Sequence, residues 1–239
     1  MPLPKIATPT YELVLPSTGK KIKYRPFLVK EEKILILALE SEDQKQITNA
    51  IKTTLKACIQ TRGIKVEELP TFDIEYIFLN IRGKSVGESI DVVVTCPDDD
   101  ETQVEHKIYI DEIQVEKSKE HTPDIKLDDT LTLRMKYPSL TQFVENNFNP
   151  SSEDTLEASM GIIASCIDVV YNEDESWAAA DCTKKELNEW LETLNTSQFK
   201  EIEKFFDTMP KLSHTVKVTN PKTKVESEVT MEGLQSFFG

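Results

Sequence analysis

The chain has 239 residues, with 28 Lys and Arg against 42 Asp and Glu, a formal net charge of −14. A hydrophobic share of 38% supplies a substantial core, which excludes disorder throughout, and the length suits one large domain or two small ones. The longest apolar run, Ile34 to Leu39, is far below the roughly 20 residues that cross a bilayer, and so acidic a chain repels the phosphates of bulk nucleic acid.

The first segment alternates, with Tyr11, Leu13 and Leu15 on one face; Pro16-Ser17-Thr18-Gly19 turns the chain, and Lys20 to Arg25 alternates back. This pattern predicts a β-hairpin with Gly19 at positive φ and with Lys21, Lys23 and Arg25 on one face. Residues 30–41 are apolar at most positions and predict a buried helix. Residues 43–60 predict an amphipathic one, with Ile47, Ile51, Leu55 and Ile59 at i+4 steps. A third helix is expected after Pro70, with Thr71 as its cap and Asp73 in the first turn, ending near Gly83.

The middle reads as β. Ser89 to Thr95 and Gln103 to Ile110 flank an acidic loop, and Leu127 to Tyr137 sets Leu131, Leu133 and Met135 on one face of a further strand. Pro150 to Glu153 reads as a linker ending in a helix cap. Leu156, Met160, Ile163, Ile167 and Val170 then predict one helix over residues 153–171. Asn172 to Glu175 is an acidic loop, and Thr183 to Glu186 is a capping box that opens a helix carrying Leu187, Trp190 and Leu191. A last helix carries Phe199, Ile202, Phe205, Phe206 and Met209 before Pro210 stops it. The closing hairpin turns at Asn220-Pro221-Lys222-Thr223 and echoes the middle one, since Val94-Thr95-Cys96-Pro97 parallels Val218-Thr219-Asn220-Pro221. The expected fold class is α+β: an N-terminal β-hairpin with helices, a central antiparallel β region, and a C-terminal helical block closed by a β-hairpin. Two parts are expected, residues 1–148 and 149–239, either hinged near 146–152 or sharing one core.

Charge is unevenly spread. Residues 1–65 hold 12 basic and 6 acidic side chains, a net of +6, which leaves −20 for the remainder. Cys58, Cys96, Cys166 and Cys182 are scattered without a C-x-x-C, a pattern of reduced thiols in a cytosol, and the N-terminus has no basic and apolar secretory pattern.

Catalytic chemistry finds little footing. His106, His121 and His214 are isolated, Asp98 to Glu101 lacks the glycine and bidentate Glu of an EF-hand, and no G-x-S-x-G, P-loop or G-x-G-x-x-G occurs. The expectation is a protein without enzymatic activity, metal or cofactor. Two rival readings are a small hydrolase without a recognisable motif and a nucleic-acid mimic using residues 145–207, where 15 acids face 4 bases. Adjacent helical residues point about 100° apart, so one member of Phe205-Phe206 and of Phe237-Phe238 is free to face a partner. The candidate partner-binding residues are therefore Lys21, Lys23, Arg25, Phe206, Phe237 and Phe238.

The opening Met1-Pro2-Leu3-Pro4-Lys5-Ile6-Ala7-Thr8-Pro9-Thr10-Tyr11-Glu12-Leu13, the block Pro16 to Lys33 and the ending Glu232-Gly233-Leu234-Gln235-Ser236-Phe237-Phe238 resemble the baseplate hub assembly proteins of contractile-tailed bacteriophages of the T-even type. The resemblance implies a non-catalytic protein that helps build the central hub of the baseplate in the host bacterial cytoplasm, as a chaperone or as a subunit that stays in the virion tail. Its implied partners are other hub or tape-measure proteins, with no nucleic acid and no membrane. The family carries no active-site motif to transfer.

Overall fold

The computed structural model describes residues 6–41, 43–141, 144 and 156–238; the side chains of Gln44, Leu156, Glu157, Ala158, Gln235 and Phe238 lie outside the description. The fold is α+β, built from small antiparallel sheets and helices around two buried clusters.

The first cluster begins with the N-terminal hairpin. β1 (Tyr11–Val14) pairs with β2 (Lys21–Tyr24), Leu13 facing Ile22, and Gly19 takes φ 68° in the turn. Leu13, Ile22 and Tyr24 are buried, as the alternation predicts. The turn is fastened from outside the hairpin. Asp73 is fully buried and accepts hydrogen bonds from the Ser17 N–H at 3.0 Å and from the Ser17 hydroxyl. Burial pushes the Asp73 carboxyl up, and the two bonds from Ser17 offset part of that rise.

Three helices cover this hairpin. α1 (Val29–Glu40) packs on α2 (Gln44–Cys58), whose Asp43 cap accepts from the Lys45 and Gln46 N–H groups. Ile47, Ile51 and Leu55 form the buried stripe of α2, while α1, expected to be buried, is largely exposed. α3 (Thr71–Val86) is the central helix, with Ile74, Ile77, Leu79 and Ile81 fully buried; each side chain contributes about 1.5–3 kcal/mol by leaving water. Two details of α3 differ from expectation. Thr71 is its first residue rather than its cap, because Pro70 supplies the accepting carbonyl and the Thr71 N–H is committed to Pro138 O at 3.1 Å. Gly83 does not end the helix; Ile110 Cδ1 occupies the space its β-carbon would need, and the helix runs three residues further.

The rest of this cluster comes from distant parts of the chain. β3 (Ser89–Thr95) and β4 (Gln103–Tyr109) form the middle hairpin. β5 (Gln114–Glu116), unforeseen from the sequence, pairs with β10 (Lys211–Thr219), which pairs in turn with β11 (Glu226–Glu232). The two hairpins that echo each other in sequence meet at their turns: Asp98 accepts from Asn220 Nδ2 at 3.0 and 3.1 Å and from the Thr223 hydroxyl. Asn220 is fully buried, so this bond satisfies a group that would otherwise be desolvated without a partner. The short α7 (Gln235–Phe238) touches both β3 and β11.

Between β5 and β10 the chain builds the second cluster. β6 (Asp124–Lys126), β7 (Thr132–Met135), β8 (Ile167–Tyr171) and β9 (Ser176–Ala178) form a sheet in that order, covered by α4 (Leu156–Ser165), α5 (Lys184–Glu192) and α6 (Thr196–Thr208). The capping box at Thr183 and Glu186 is present, as predicted. The single helix expected over 153–171 is not: its described part ends at Ser165 and Ile167–Tyr171 is a strand. Arg134 pairs with Val169 and Met135 with Ile167, leaving Asp168 as the extra residue of a bulge. The bulge turns both Ile167 and Val170 toward the core, which reproduces a helical spacing of three within an extended segment. The linker expected at Pro150 to Glu153 and the boundary at 148–149 lie outside the described residues. The cores themselves are interleaved: buried residues 13–113, Leu140, Val144 and Leu212 to Phe237 share the first cluster, while Ile125 to Met135 and Ile163 to Phe205 fill the second.

An aromatic group joins the two clusters. Phe72 of α3 is buried and meets the Tyr137 ring edge-on at 5.0 Å, and Tyr137 stacks at 5.6 Å on Phe205 of α6. His121 lies 5.0 Å from Phe205 and contacts Thr208 Oγ1 through Nδ1 at 3.0 Å and the Tyr137 hydroxyl through Nε2 at 2.9 Å. Because the Thr208 hydroxyl donates to Lys204 O, it accepts from Nδ1–H, and Nε2 accepts from Tyr137. Burial, with nearby Lys117, pushes the His121 imidazole below its ordinary 6.5. The neutral ring therefore contributes stability that is complete above pH about 6.5 and is lost as pH falls through the lower folded value. We expect the urea midpoint to drop between pH 7.5 and pH 5.5, and this drop to be smaller in His121→Asn, measured by tryptophan fluorescence at each pH.

Candidate interaction surfaces

The basic face of the N-terminal hairpin follows from its register. Glu12 stands opposite Lys23, with Lys21 two residues away on the same face. Lys21 Nζ lies 2.9 Å and Lys23 Nζ 3.7 Å from the Glu12 carboxylate, and all three groups are exposed. The Lys21 contact holds the Glu12 carboxyl below its usual range. Two cations share one anion, so this face keeps a net positive charge toward solvent.

Arg25 does not belong to that face. Its guanidinium spans both oxygens of Glu31, at 2.9 and 3.3 Å, and donates to Pro26 O at 2.9 Å. The side chains are only 12% and 3% exposed. Glu31 also accepts from the Leu28 N–H at 2.9 Å, the half of a capping box that needs no hydroxyl. Burial raises the Glu31 carboxyl, but the hydrogen bonds from Arg25 and Leu28 outweigh it and hold the group below its ordinary range. The pair is the hinge pin between hairpin and α1, placed one residue beyond the alternating strand where sequence spacing alone reads it as surface.

The aromatic candidates divide similarly. Phe237 is 1% exposed and belongs to the first core, which corrects its expected role as an outward residue; α7 is a plug across β3 and β11. Phe206 is half-buried and meets Phe205 edge-on at 5.2 Å. The Phe238 side chain lies outside the described residues.

The surface that sequence reasoning missed is α1. Only Glu31 and Ala38 are buried there, while Val29 is 80%, Leu37 54% and Ile36 49% exposed. A 12-residue helix packed mainly on one neighbour buries one face. Apolar residues at 34, 35, 36, 37 and 39 surround the axis, so some must face water. The unbroken run without periodicity was the available signal.

Lined cavities offer little chemistry. A shallow depression of about 400 Å³ lies beside Arg134, Tyr171 and Asn172 to Ser176, with Arg134 engaged by Asp124 at 2.7 Å. No group of three or more His, Cys, Asp or Glu among the described residues is placed to hold a metal ion. All four cysteines are free, and burial pushes the thiols of Cys58 and Cys166 up to about 11, so neither provides a thiolate near neutral pH. No helix among the described residues is long and apolar enough to cross a membrane.

The distinctive surface features of this two-core α+β chain are an apolar helix face and a charged hairpin face. The family model for the T4 bacteriophage base plate protein matches residues 8–239, and the chain belongs to that family. Comparison with curated proteins and with solved structures gives no match. The protein is thus a component of the T4-type tail baseplate system, which agrees with the resemblance in its opening and closing segments.

Removing one member of a buried ion pair costs about 3–5 kcal/mol when the other is left uncompensated. Glu31→Gln, which strands the Arg25 guanidinium, should lower stability by about 3 kcal/mol in urea unfolding at pH 7, and Arg25→Met by less, because Lys30 at 3.3 Å and the Leu28 N–H still serve Glu31. Joint replacement should cost less than the sum of the two.

Proposed function

We propose that this protein assists assembly of the central hub of the baseplate, or forms part of it, by binding other hub or tape-measure proteins and without catalysing a reaction. The observation that carries the reading is membership of the baseplate family over residues 8–239. The resemblance of the opening and closing segments to hub assembly proteins supports the hub as the place of action. The layout of charge supports it: a net +6 over residues 1–65 against −20 over the remainder makes the chain charge-polarised, and electrostatic complementarity selects orientation and encounter rate more than affinity. Assembly takes place in the host bacterial cytoplasm. A chaperone leaves when the hub is complete, whereas a subunit stays in the tail.

Mass spectrometry of purified virions beside hub-assembly intermediates separates these roles: presence in intermediates alone means a chaperone, and presence in both means a subunit. For binding, affinity capture from infected cells should recover identified hub or tape-measure proteins, and recovery of none would sink the proposal. Lys21→Gln combined with Lys23→Gln should reduce that capture several-fold, mainly through slower association at low salt, with little shift in Tm because exposed ion pairs contribute about 0–1 kcal/mol. Arg25→Glu, in contrast, should lower Tm and so cannot serve as a surface control.

A further inference from the structure

Helix α1 presents a face that is complementary to itself. At 100° per residue, the inward positions Glu31, Leu35 and Ala38 lie opposite Val29, Lys33, Ile36, Leu37 and Glu40, and these five are exposed. An outward helix face ordinarily carries polar residues; here Ile34 and Leu39, 41% and 43% exposed, widen an apolar patch already made by Val29, Ile36 and Leu37. The charges nearest the centre of this face, Lys33 and Glu40, have no ion-pair partner among the described residues, whereas the exposed Lys30 and Glu32 lie toward its flanks and Lys30 is engaged by Glu31 at 3.3 Å. Lys33 and Glu40 are seven residues apart on one line of the helix, about 10 Å at 1.5 Å per residue, with Ile36 and Leu37 flanking the midpoint.

We infer that α1 is the seam of a homodimer in which two copies pair antiparallel about a two-fold axis passing between positions 36 and 37. Turned end for end, the order cation, apolar, apolar, anion matches itself. Lys33 meets the partner subunit's Glu40 at one end and Glu40 meets the partner subunit's Lys33 at the other, while Ile36 and Leu37 pack against their own counterparts. That is the requirement of an isologous interface. A parallel pair would set Lys33 against Lys33 and Glu40 against Glu40, so charge excludes that alternative. One helix per copy is a small seam beside the roughly 800 Å² per partner of a standard interface, so the expected association is weak.

The inference does not rest on the hub assignment, and its test needs the full chain alone. Sedimentation velocity over a concentration series through the micromolar range should show the mass rising from 27.2 kDa toward twice that value. K33E alone, and E40K alone, set like charges together at both ends and should each raise the dissociation constant about 10-fold or more. The double variant K33E/E40K restores both pairs with their signs exchanged, and should return the constant to near the original value with an unchanged circular dichroism spectrum. A chain that stays monomeric throughout overturns the inference. So do single variants that dimerise like the parent, or a double variant that recovers nothing. A chain that captures hub proteins yet never dimerises overturns only this proposal.

Discussion

Three residues of strand pairing, Gln114–Glu116 against Lys211–Ser213, set how the whole chain is distributed. By returning β10 to the edge of β5, they bring the last hairpin back to the first core, while most of the intervening chain builds a second core with its own sheet and Leu140 and Val144 of it dip back into the first. A loop of that length costs little more to close than a short one, because closure entropy grows only with the logarithm of length. The cost is recovered where Leu212, Val216, Val218, Leu234 and Phe237 all become buried in the first core. Without that closure, the inner faces of β3 and α3 would be open to water.

Polar groups act as pins at the places where segments far apart in sequence must meet. Asp73 holds the Ser17 turn, Glu31 holds Arg25 and the start of α1, and Asp98 holds Asn220 and Thr223 of the opposite hairpin. Buried polar groups are costly unless bonded, so each pin disfavours any arrangement that separates its partners. The His121, Tyr137, Phe72 and Phe205 group plays the same part between the two cores, with ring contacts as well as hydrogen bonds.

The apolar side chains are shared between two cores, and α1 is where coverage ends. Its neighbours cover one face, leaving Val29, Ile36 and Leu37 outside. The proposed dimer seam uses this apolar face, where pairing of two copies would remove it from water. The basic hairpin face at Lys21 and Lys23 lies in the same N-terminal part of the chain.

The sequence by itself determined the local elements: the N-terminal hairpin with its Gly19 turn, the α2 stripe, the middle and closing hairpins, and the Thr183 capping box. Each follows from a periodicity or a turn that neighbouring residues settle among themselves. It also determined the family, through its opening and closing segments. Tertiary structure alone decided the remainder. Residues 167–171 are a strand because β7 and β9 pair with them and a bulge at Asp168 absorbs the odd spacing. Arg25 and Phe237 are interior because Glu31 and the β3–β11 surface lie there to receive them. Strands as short as β5 and β6 carry too little periodicity to be legible without their partners. The exposed face of α1 is the clearest case: composition says only that the helix is apolar, and which side meets water is set by what packs against the other.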